Sequence, residues 1–170
     1  GYRVLHNTGQ YDVETRDNAY SRALPAVEQI LAENPSIQVI IDLHRDEVAD
    51  LDMSEAARAY LACNMELDHK SVVSFYILWK LTVTVSFFPK DLGNENQEAN
   101  LAFSFQMQLK AAEYYPGLTR RIYLKGYRYN MHLRPRTLLV ELGAQNNTVE
   151  EAINACDPLA HILDMVLKGE

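Results

Sequence analysis

One stretch, Ile37–Val48, places the strongest constraint on how this chain folds. Its aliphatic and β-branched run Val39–Ile41, bounded by polar residues, is typical of a strand that is buried on both faces of a parallel sheet. The run leads directly into four polar side chains, namely Asp42, His44, Arg45 and Asp46. In open α/β sheets, ligands bind just beyond the carboxyl ends of the strands. The stretch therefore predicts an imidazole, a guanidinium and carboxylates at the edge of the sheet where such folds perform their chemistry.

The composition is that of an ordinary globular domain. The chain has 170 residues, 48% apolar and 23% charged, which suffices for one domain with a substantial core and argues against disorder or a coiled coil. The formal net charge of −7 disfavours non-specific attraction to nucleic acid or anionic lipid, and we expect no nucleic-acid partner. Cys63 and Cys156 are not spaced as metal ligands or as a disulfide framework. We find neither a signal peptide nor an uncharged apolar run long enough to span a membrane.

The first residues predict a βαβ unit. Tyr2–Leu5 is interpreted as a short strand, and a polar loop containing His6 follows it. Apolar residues at helical spacing then predict a helix over Ala19–Glu33, which ends at Asn34-Pro35-Ser36. Strand, helix and strand in this order predict a parallel pair. Because Gly1 stands directly before the first strand, as a glycine that ends a helix does, we expect natural sequence upstream of this chain.

Two further strand regions and two further helices are predicted in the middle of the chain. Ser54–Ala62 is a candidate helix, and Ser71–Phe88 predicts at least one strand or a hairpin. Glu98–Tyr114 predicts a long helix before Pro116-Gly117. We assign its inward face to an apolar stripe that consists of Leu101, Ala102, Phe105, Leu109 and Ala112.

A second buried strand is predicted over Pro135–Gly143. Its aliphatic run ends on Glu141, and because an unpaired buried carboxylate is costly, Glu141 is expected beside a cation or metal or directed to solvent. Thr148 and Glu151 predict a capping box before a final helix that includes Ala152–Leu167. The sequence thus predicts an α/β fold with a mostly parallel central sheet flanked by helices, in one domain over residues 1–170.

His44 and Glu141 end the two predicted buried strands, and neighbouring parallel strands would place them in one crevice. A histidine ligand beside an unligated glutamate is the arrangement of zinc hydrolases, in which zinc polarises a carbonyl and acidifies a water. His6 and Asp42 are further possible ligands, although no H-E-x-x-H motif is present. Two other interpretations remain open, in which His44 is simply satisfied by a neighbour at a strand end or forms an ion pair with Glu141.

Several segments, in order along most of the chain, resemble the stage II sporulation protein P family. They are Ile41-Asp42-Leu43-His44-Arg45-Asp46, Tyr115-Pro116-Gly117-Leu118, Arg128-Tyr129-Asn130, Val140-Glu141-Leu142-Gly143 and Asn147-Thr148-Val149-Glu150-Glu151-Ala152, with Val4-Leu5-His6-Asn7 and Tyr20-Ser21-Arg22 near the N-terminus. Ser71–Asn96 departs from the family's pattern. The resemblance implies an amidase-like domain that acts as a zinc-dependent N-acetylmuramoyl-L-alanine amidase and endopeptidase on peptidoglycan. It also implies septal thinning and engulfment during sporulation, at the extracytoplasmic face of the membrane, with stage II sporulation proteins D and M as partners.

The resemblance also implies individual roles. His44 corresponds to a zinc-binding histidine and Glu141 to the catalytic glutamate. The family's first zinc histidine, its acidic ligand and the membrane anchor lie upstream of Gly1, so we expect an incomplete Zn²⁺ site in this chain. Arg45 is assigned to steadying the oxyanion or a stem-peptide carboxylate. Asp42, Asp46, Arg128, Asn130 and His6 are expected either to orient the zinc ligand or to contact the substrate. The alternative function is an inactive peptidoglycan-binding or scaffold domain.

Overall fold

A computed structural model of the chain describes residues 1–13, 15–46, 66–67, 70–71, 82–86, 93–144 and 147–170. These residues divide into two compact units, residues 1–38 and residues 39–170. The predicted helix over Ser54–Ala62 and most of the predicted strand region Ser71–Phe88 lie outside the described residues. Within the described part of the chain, no helix is both long enough and apolar enough to cross a membrane.

The first unit contains helix α1, Ala19–Glu33, as predicted. The predicted strand Tyr2–Leu5 is wrong, because these residues are exposed and take part in no strand ladder. A short apolar segment becomes a strand only where another strand supplies hydrogen bonds to its backbone. The loop before α1 is held instead by Arg22, whose guanidinium donates to three backbone carbonyls. These carbonyls belong to Tyr11, Thr15 and Asp17.

The second unit is built on a mixed four-stranded sheet in the order β1-β6-β4-β5. β1 pairs in parallel with β6, β6 pairs antiparallel with β4, and β4 pairs in parallel with β5. A separate antiparallel pair joins β2 and β3. The strands are β1 (Ile40–Asp46), β2 (Glu66–Leu67), β3 (Lys70–Ser71), β4 (Thr82–Ser86), β5 (Tyr123–Lys125) and β6 (Thr137–Ala144). The structure therefore confirms the predicted α/β class, the parallel pairing of β1 with β6 and the burial of β6, and it adds an antiparallel neighbour to β6. The prediction that β1 is buried on both faces is wrong, because β1 is an edge strand of this sheet and Leu43 is 52% exposed.

Two helices, α2 (Gln97–Tyr114) and α3 (Val149–Lys168), pack against the sheet and against each other. Alternate residues of β6, namely Leu138, Val140 and Leu142, belong to the same buried cluster as residues of both helices. Since side chains alternate across a strand, this cluster lies on one face of the sheet. The opposite face of β1 and β6 carries Asp42, His44 and Glu141. The prediction of one amidase-like domain over residues 1–170 stays a prediction.

The predicted inward stripe of α2 is wrong, although the helix itself is confirmed. Phe105 and Leu109 are 54% and 53% exposed. The buried stripe is Asn100, Phe103, Ser104, Met107 and Ala111. Its two polar members are satisfied, because Ser104 donates to the Leu101 carbonyl and the Asn100 side-chain amide bonds to backbone groups of the loop before β6. A stripe chosen by hydrophobicity alone therefore selected the wrong side of the helix.

Candidate functional site

The ends of β1 and β6 bring His44 and Glu141 side by side. The two residues are direct partners in the parallel register, two residues beyond the pair of Asp42 with Leu139. Residues paired across neighbouring strands carry their side chains on the same face of a sheet. Asp42, His44 and Glu141 therefore share the face opposite the α2 and α3 helices. The His44 side chain is 41% exposed, and Glu141 is partly buried.

Asp42 holds the His44 imidazole. Its Oδ1 lies 2.7 Å from His44 Nε2, because residues two apart in a strand lie on the same face. A histidine that ligates a metal characteristically gives its other ring nitrogen to a carboxylate, which fixes the tautomer and the orientation of the ring. The predicted partnership between Asp42 and His44 is thus present as a contact. The backbone of Asp46 pairs with Ala144, and its side chain lies outside the described part of the chain.

A β-bulge follows directly after His44 and Glu141. The register advances by two residues in β1, from His44 to Asp46, and by three in β6, from Glu141 to Ala144. Gly143 lies within the bulge and has a φ of +75°. This left-handed backbone conformation is unfavourable for residues other than glycine. A bulge of this kind bends the strand and commonly redirects side chains at sites. The bend therefore ends the regular ladder where the candidate site begins.

Arg45 ties the two strand ends to the start of α3. Its Nη2 donates to the Ala144 carbonyl at 2.6 Å and to the Asn147 carbonyl at 2.5 Å. Asn147 Oδ1 in turn accepts from the Ala144 N–H at 2.8 Å, and the Asn147 amide donates to Glu151. These contacts give Arg45 a positioning role toward the loop behind Glu141. Its predicted role toward an oxyanion or a substrate carboxylate stays a prediction.

The capping box predicted at the start of α3 is confirmed. Thr148 Oγ1 accepts from the Glu151 N–H, and the Glu151 carboxylate accepts from the Thr148 N–H. Glu151 therefore serves as a structural carboxylate. Glu141 remains the carboxylate of β6 that faces the candidate site.

The loop before β6 is anchored by α2. Asn100, which is fully buried, donates through Nδ2 to the Met131 carbonyl and accepts through Oδ1 from the Thr137 N–H. Tyr129 and Asn130 both have left-handed backbone, with φ of 46° and 56°, which is uncommon outside glycine. Arg128 and Asn130 are half-buried in this loop. Their predicted substrate roles stay predictions.

Tyr129 is a further candidate functional residue, which the sequence places in the Arg128-Tyr129-Asn130 segment but for which it predicts no role. Burial raises the pKa of its phenol, and the charge of Glu141 adds to that rise while Lys125 opposes it. The signal in the sequence is the recurrence of tyrosines around one lysine, Tyr123-Leu124-Lys125-Gly126-Tyr127-Arg128-Tyr129. That pattern alone does not distinguish an aromatic loop from part of a site.

The candidate site contains one side chain that suits a zinc ligand, the imidazole of His44. His44 has the imidazole of a zinc ligand, and its Nε2 contacts the Asp42 carboxylate in the way that orients metal-bound histidines. His6 lies exposed in the first unit. Among the described residues, no group of three or more histidine, cysteine or acidic side chains could hold a metal ion. A catalytic zinc takes three protein ligands, so the remaining ligands of any zinc bound by His44 would come from elsewhere in the protein.

Comparison with known proteins places the chain within one family. The family model described as Stage II sporulation protein P (SpoIIP) matches residues 1–164. The curated protein "Stage II sporulation protein P" of Bacillus subtilis (strain 168) is 26% identical over 151 residues, which cover 85% of this chain and 32% of that protein. The chain thus spans about a third of the length of this relative. No solved structure matches the chain.

Proposed function

The chain belongs to the stage II sporulation protein P family, whose members act in sporulation, and we propose that it carries part of the active site of a peptidoglycan hydrolase. The proposed reaction is zinc-dependent hydrolysis of the amide between N-acetylmuramic acid and L-alanine, together with cleavage of peptide cross-links. We further propose that the reaction thins septal peptidoglycan during engulfment, on the extracytoplasmic face of the membrane. Stage II sporulation proteins D and M are the proposed partners.

One observation carries the proposal, namely the direct pairing of His44 with Glu141 at the ends of two neighbouring parallel strands. This pairing supports a shared site because it puts an imidazole and a carboxylate on one face, close to each other and next to a β-bulge. The contact between Asp42 and His44 supports a ligand role for the imidazole, since zinc-bound histidines commonly bond a carboxylate through the ring nitrogen that does not bind the metal. The pairing of His44 with Glu141 depends on long-range strand pairing, whereas the contact of Asp42 with His44 is local to β1.

The roles follow from these positions. His44 would contribute one zinc ligand, through Nδ1, because Nε2 is engaged by Asp42. Zinc, when bound, supplies a Lewis acid that polarises the scissile carbonyl and lowers the pKa of water. Glu141 accepts the proton of the attacking water and passes it to the nitrogen of the leaving amine. Arg45 keeps the backbone behind Glu141 in place through its bonds to the Ala144 and Asn147 carbonyls.

The substitution Glu141→Gln tests the proposal. The full-length natural protein and its variant are incubated with purified peptidoglycan, and soluble muropeptides are measured by mass spectrometry. Because the amide cannot accept the proton of water, we expect hydrolysis to fall by about 10²–10⁴-fold. Zinc content, measured by elemental analysis, should not change, because Glu141 is proposed as a base and not as a ligand.

Glu113→Gln is the matched control, since Glu113 is an exposed carboxylate on α2 in the same unit. This variant should retain full activity. If Glu141→Gln released muropeptides at the rate of the control, Glu141 would not be the base. If the natural protein bound peptidoglycan but neither held zinc nor released muropeptides, the alternative of a peptidoglycan-binding or scaffold domain would replace the hydrolase.

A further inference from the structure

The segment between Glu113 and Glu141 is basic, although the chain as a whole is acidic. Residues 114–140 contain six of the sixteen lysines and arginines and no aspartate or glutamate, whereas the formal net charge of the chain is −7. A local excess of positive charge raises the concentration of anionic ligands next to it. A cation of this segment that shares a face with the candidate site is therefore a candidate for binding substrate.

Arg121 stands directly before β5 and lies at the level of Glu141. Tyr123 of β5 pairs with Thr84 of β4. Two residues earlier on β4, Thr82 pairs with Glu141. Because β4 and β5 run parallel, Arg121, which precedes Tyr123 by two residues, lies level with Glu141. β4 alone separates the two positions, so their backbones are about 10 Å apart.

The Arg121 side chain lies on the face of the sheet that carries the candidate site. The next residue, Ile122, packs against the buried cluster that includes residues of α2 and α3. Successive side chains of an extended chain lie on opposite faces, so Arg121 lies on the face opposite that cluster, as Glu141 does. Arg121 is exposed, and within the described part of the chain no group bonds its guanidinium. Its charge is therefore available to a ligand.

An acidic substrate needs such a cation at this site. Asp42 and Glu141 bring negative charge to the site, which repels a carboxylate of the substrate. Arg45, the cation of β1, donates Nη2 to two backbone carbonyls, so its guanidinium is directed at the protein. A guanidinium fork binds a carboxylate through two parallel hydrogen bonds. Arg121 is thus suited to the role that the sequence assigns to Arg45 toward a stem-peptide carboxylate.

We propose that Arg121 binds the α-carboxylate of the second residue of the stem peptide, a D-glutamate, while the amide before L-alanine is cleaved at His44 and Glu141. This proposal rests on the proposed peptidoglycan hydrolase and names a substrate group that it recognises. The carboxylate is free because D-glutamate is joined to the next residue through its side chain. It lies one residue beyond L-alanine, and consecutive Cα atoms are about 3.8 Å apart. That residue and the arginine side chain together span the distance between β6 and β5.

Two ligands that differ in one group test the proposal. N-acetylmuramyl-L-alanyl-D-glutamate has the α-carboxylate, and N-acetylmuramyl-L-alanyl-D-isoglutamine has a neutral amide in its place. Titration calorimetry uses the full-length protein with Glu141→Gln as the parent, so that no cleavage accompanies binding. We expect the parent to bind the carboxylate ligand about tenfold more tightly, as for one charge-assisted contact. Adding Arg121→Gln should abolish this preference, and Arg121→Lys should retain part of it, because lysine keeps the charge but not the fork.

Arg136→Gln is the matched control, because Arg136 is an exposed arginine of the same basic segment and stands directly before β6, at the end of the strand away from Glu141. This variant removes the same charge and should retain the tenfold preference. Equal binding of the two ligands by the parent, no binding of either at millimolar concentration, or the same preference in Arg121→Gln and Arg136→Gln would overturn the proposal. The preference is measured without turnover, so it is independent of whether the natural protein releases muropeptides.

Discussion

At the scale of single residues, the contact between Asp42 and His44 determines what the imidazole can do. A histidine on an exposed strand end can rotate and can adopt two tautomers. The Asp42 carboxylate, 2.7 Å from Nε2, favours one ring orientation and the tautomer with the proton on Nε2. The spacing of two residues along β1 puts both side chains on one face without any turn or bulge between them. Asp42 therefore presents the same edge of the ring to the candidate site in every molecule.

Asp42→Asn should weaken zinc binding by the full-length natural protein by about 10–100-fold, the usual effect of losing the carboxylate behind a metal-bound histidine. The amide still accepts a hydrogen bond but carries no charge to raise the basicity of the ring. Competition with a chelator of known zinc affinity measures the change. Asp17→Asn is the control, because Asp17 is an exposed carboxylate in the first unit. Equal zinc affinities of the two variants would show that Asp42 does not support a metal ligand.

At the scale of elements, the junction from β6 to α3 fixes the geometry behind Glu141. Four features meet within this short segment, namely the bulge at Gly143, the Asn147 side chain, the Arg45 guanidinium and the capping box. A Cβ added to Gly143 would approach Asn147 Oδ1 to 2.8 Å. The side chain of Asn147 is itself bonded to the Ala144 N–H and to Glu151, so it cannot move aside without loss of those bonds.

Gly143→Ala should therefore destabilise the protein by more than the cost of a left-handed alanine, which is about 1–2 kcal/mol. Gly117→Ala provides the control, because Gly117 has φ +86° and open space around the added Cβ. We expect Gly143→Ala to lower the free energy of unfolding by about 1 kcal/mol more than Gly117→Ala does, through loss of one hydrogen bond at Asn147. Urea denaturation measures both. A smaller loss for Gly143→Ala would contradict this account of the junction.

The elements that could be predicted from the sequence are those with strong local signals. α1 ends before Asn34-Pro35, β6 contains the aliphatic run Leu138–Val140, and α3 begins at the Thr148 capping box, and each lies where predicted. The inward face of α2 could not be predicted by hydrophobicity, because its buried stripe contains Asn100, whose amide satisfies buried backbone groups. Polar residues in a core are recognisable only when their partners, which are distant in sequence, are known.

The candidate site shows the same division between local and long-range information. The polar run after Val39–Ile41 and the glutamate after the second aliphatic run are readable from the sequence. Three other features depend on strand pairing between residues nearly one hundred positions apart. They are the pairing of His44 with Glu141, the bulge at Gly143 and the contact of Arg45 with the Ala144 carbonyl. Register is set by packing of whole strand faces and by turn geometry, so local motifs do not specify it.

At the scale of the whole molecule, titration of buried groups couples the protonation state to global stability. Tyr115 is 8% exposed, and its hydroxyl lies 2.5 Å from His161 Nδ1 across the α2–α3 interface. Burial raises the pKa of the Tyr115 phenol above 10.0, and the charge of Asp157 adds to the rise. Burial also raises the pKa of the Tyr129 phenol. Above pH 10 the unfolded chain thus releases protons that the folded chain keeps.

This difference fixes the sign of the pH dependence. A phenol with a raised pKa in the folded state contributes its full stability below the unfolded value of about 10, and that contribution is lost as the pH rises toward the folded value. We expect the urea midpoint of the natural protein to fall between pH 8 and pH 10.5. In Tyr115→Phe the fall should be smaller, because one of the titrating phenols is gone.

The same variant should be less stable at pH 8 by about 1 kcal/mol, because it lacks the hydrogen bond to His161. Tyr114→Phe, at the exposed neighbouring position on α2, should follow the natural protein at both pH values. The role of the Tyr115 phenol in alkaline unfolding is tested by the difference in unfolding free energy between the two pH values. This difference is independent of the lost hydrogen bond. If that difference were the same for Tyr115→Phe as for Tyr114→Phe, the Tyr115 phenol would have the same pKa folded and unfolded, and its burial would not link the α2–α3 interface to alkaline unfolding.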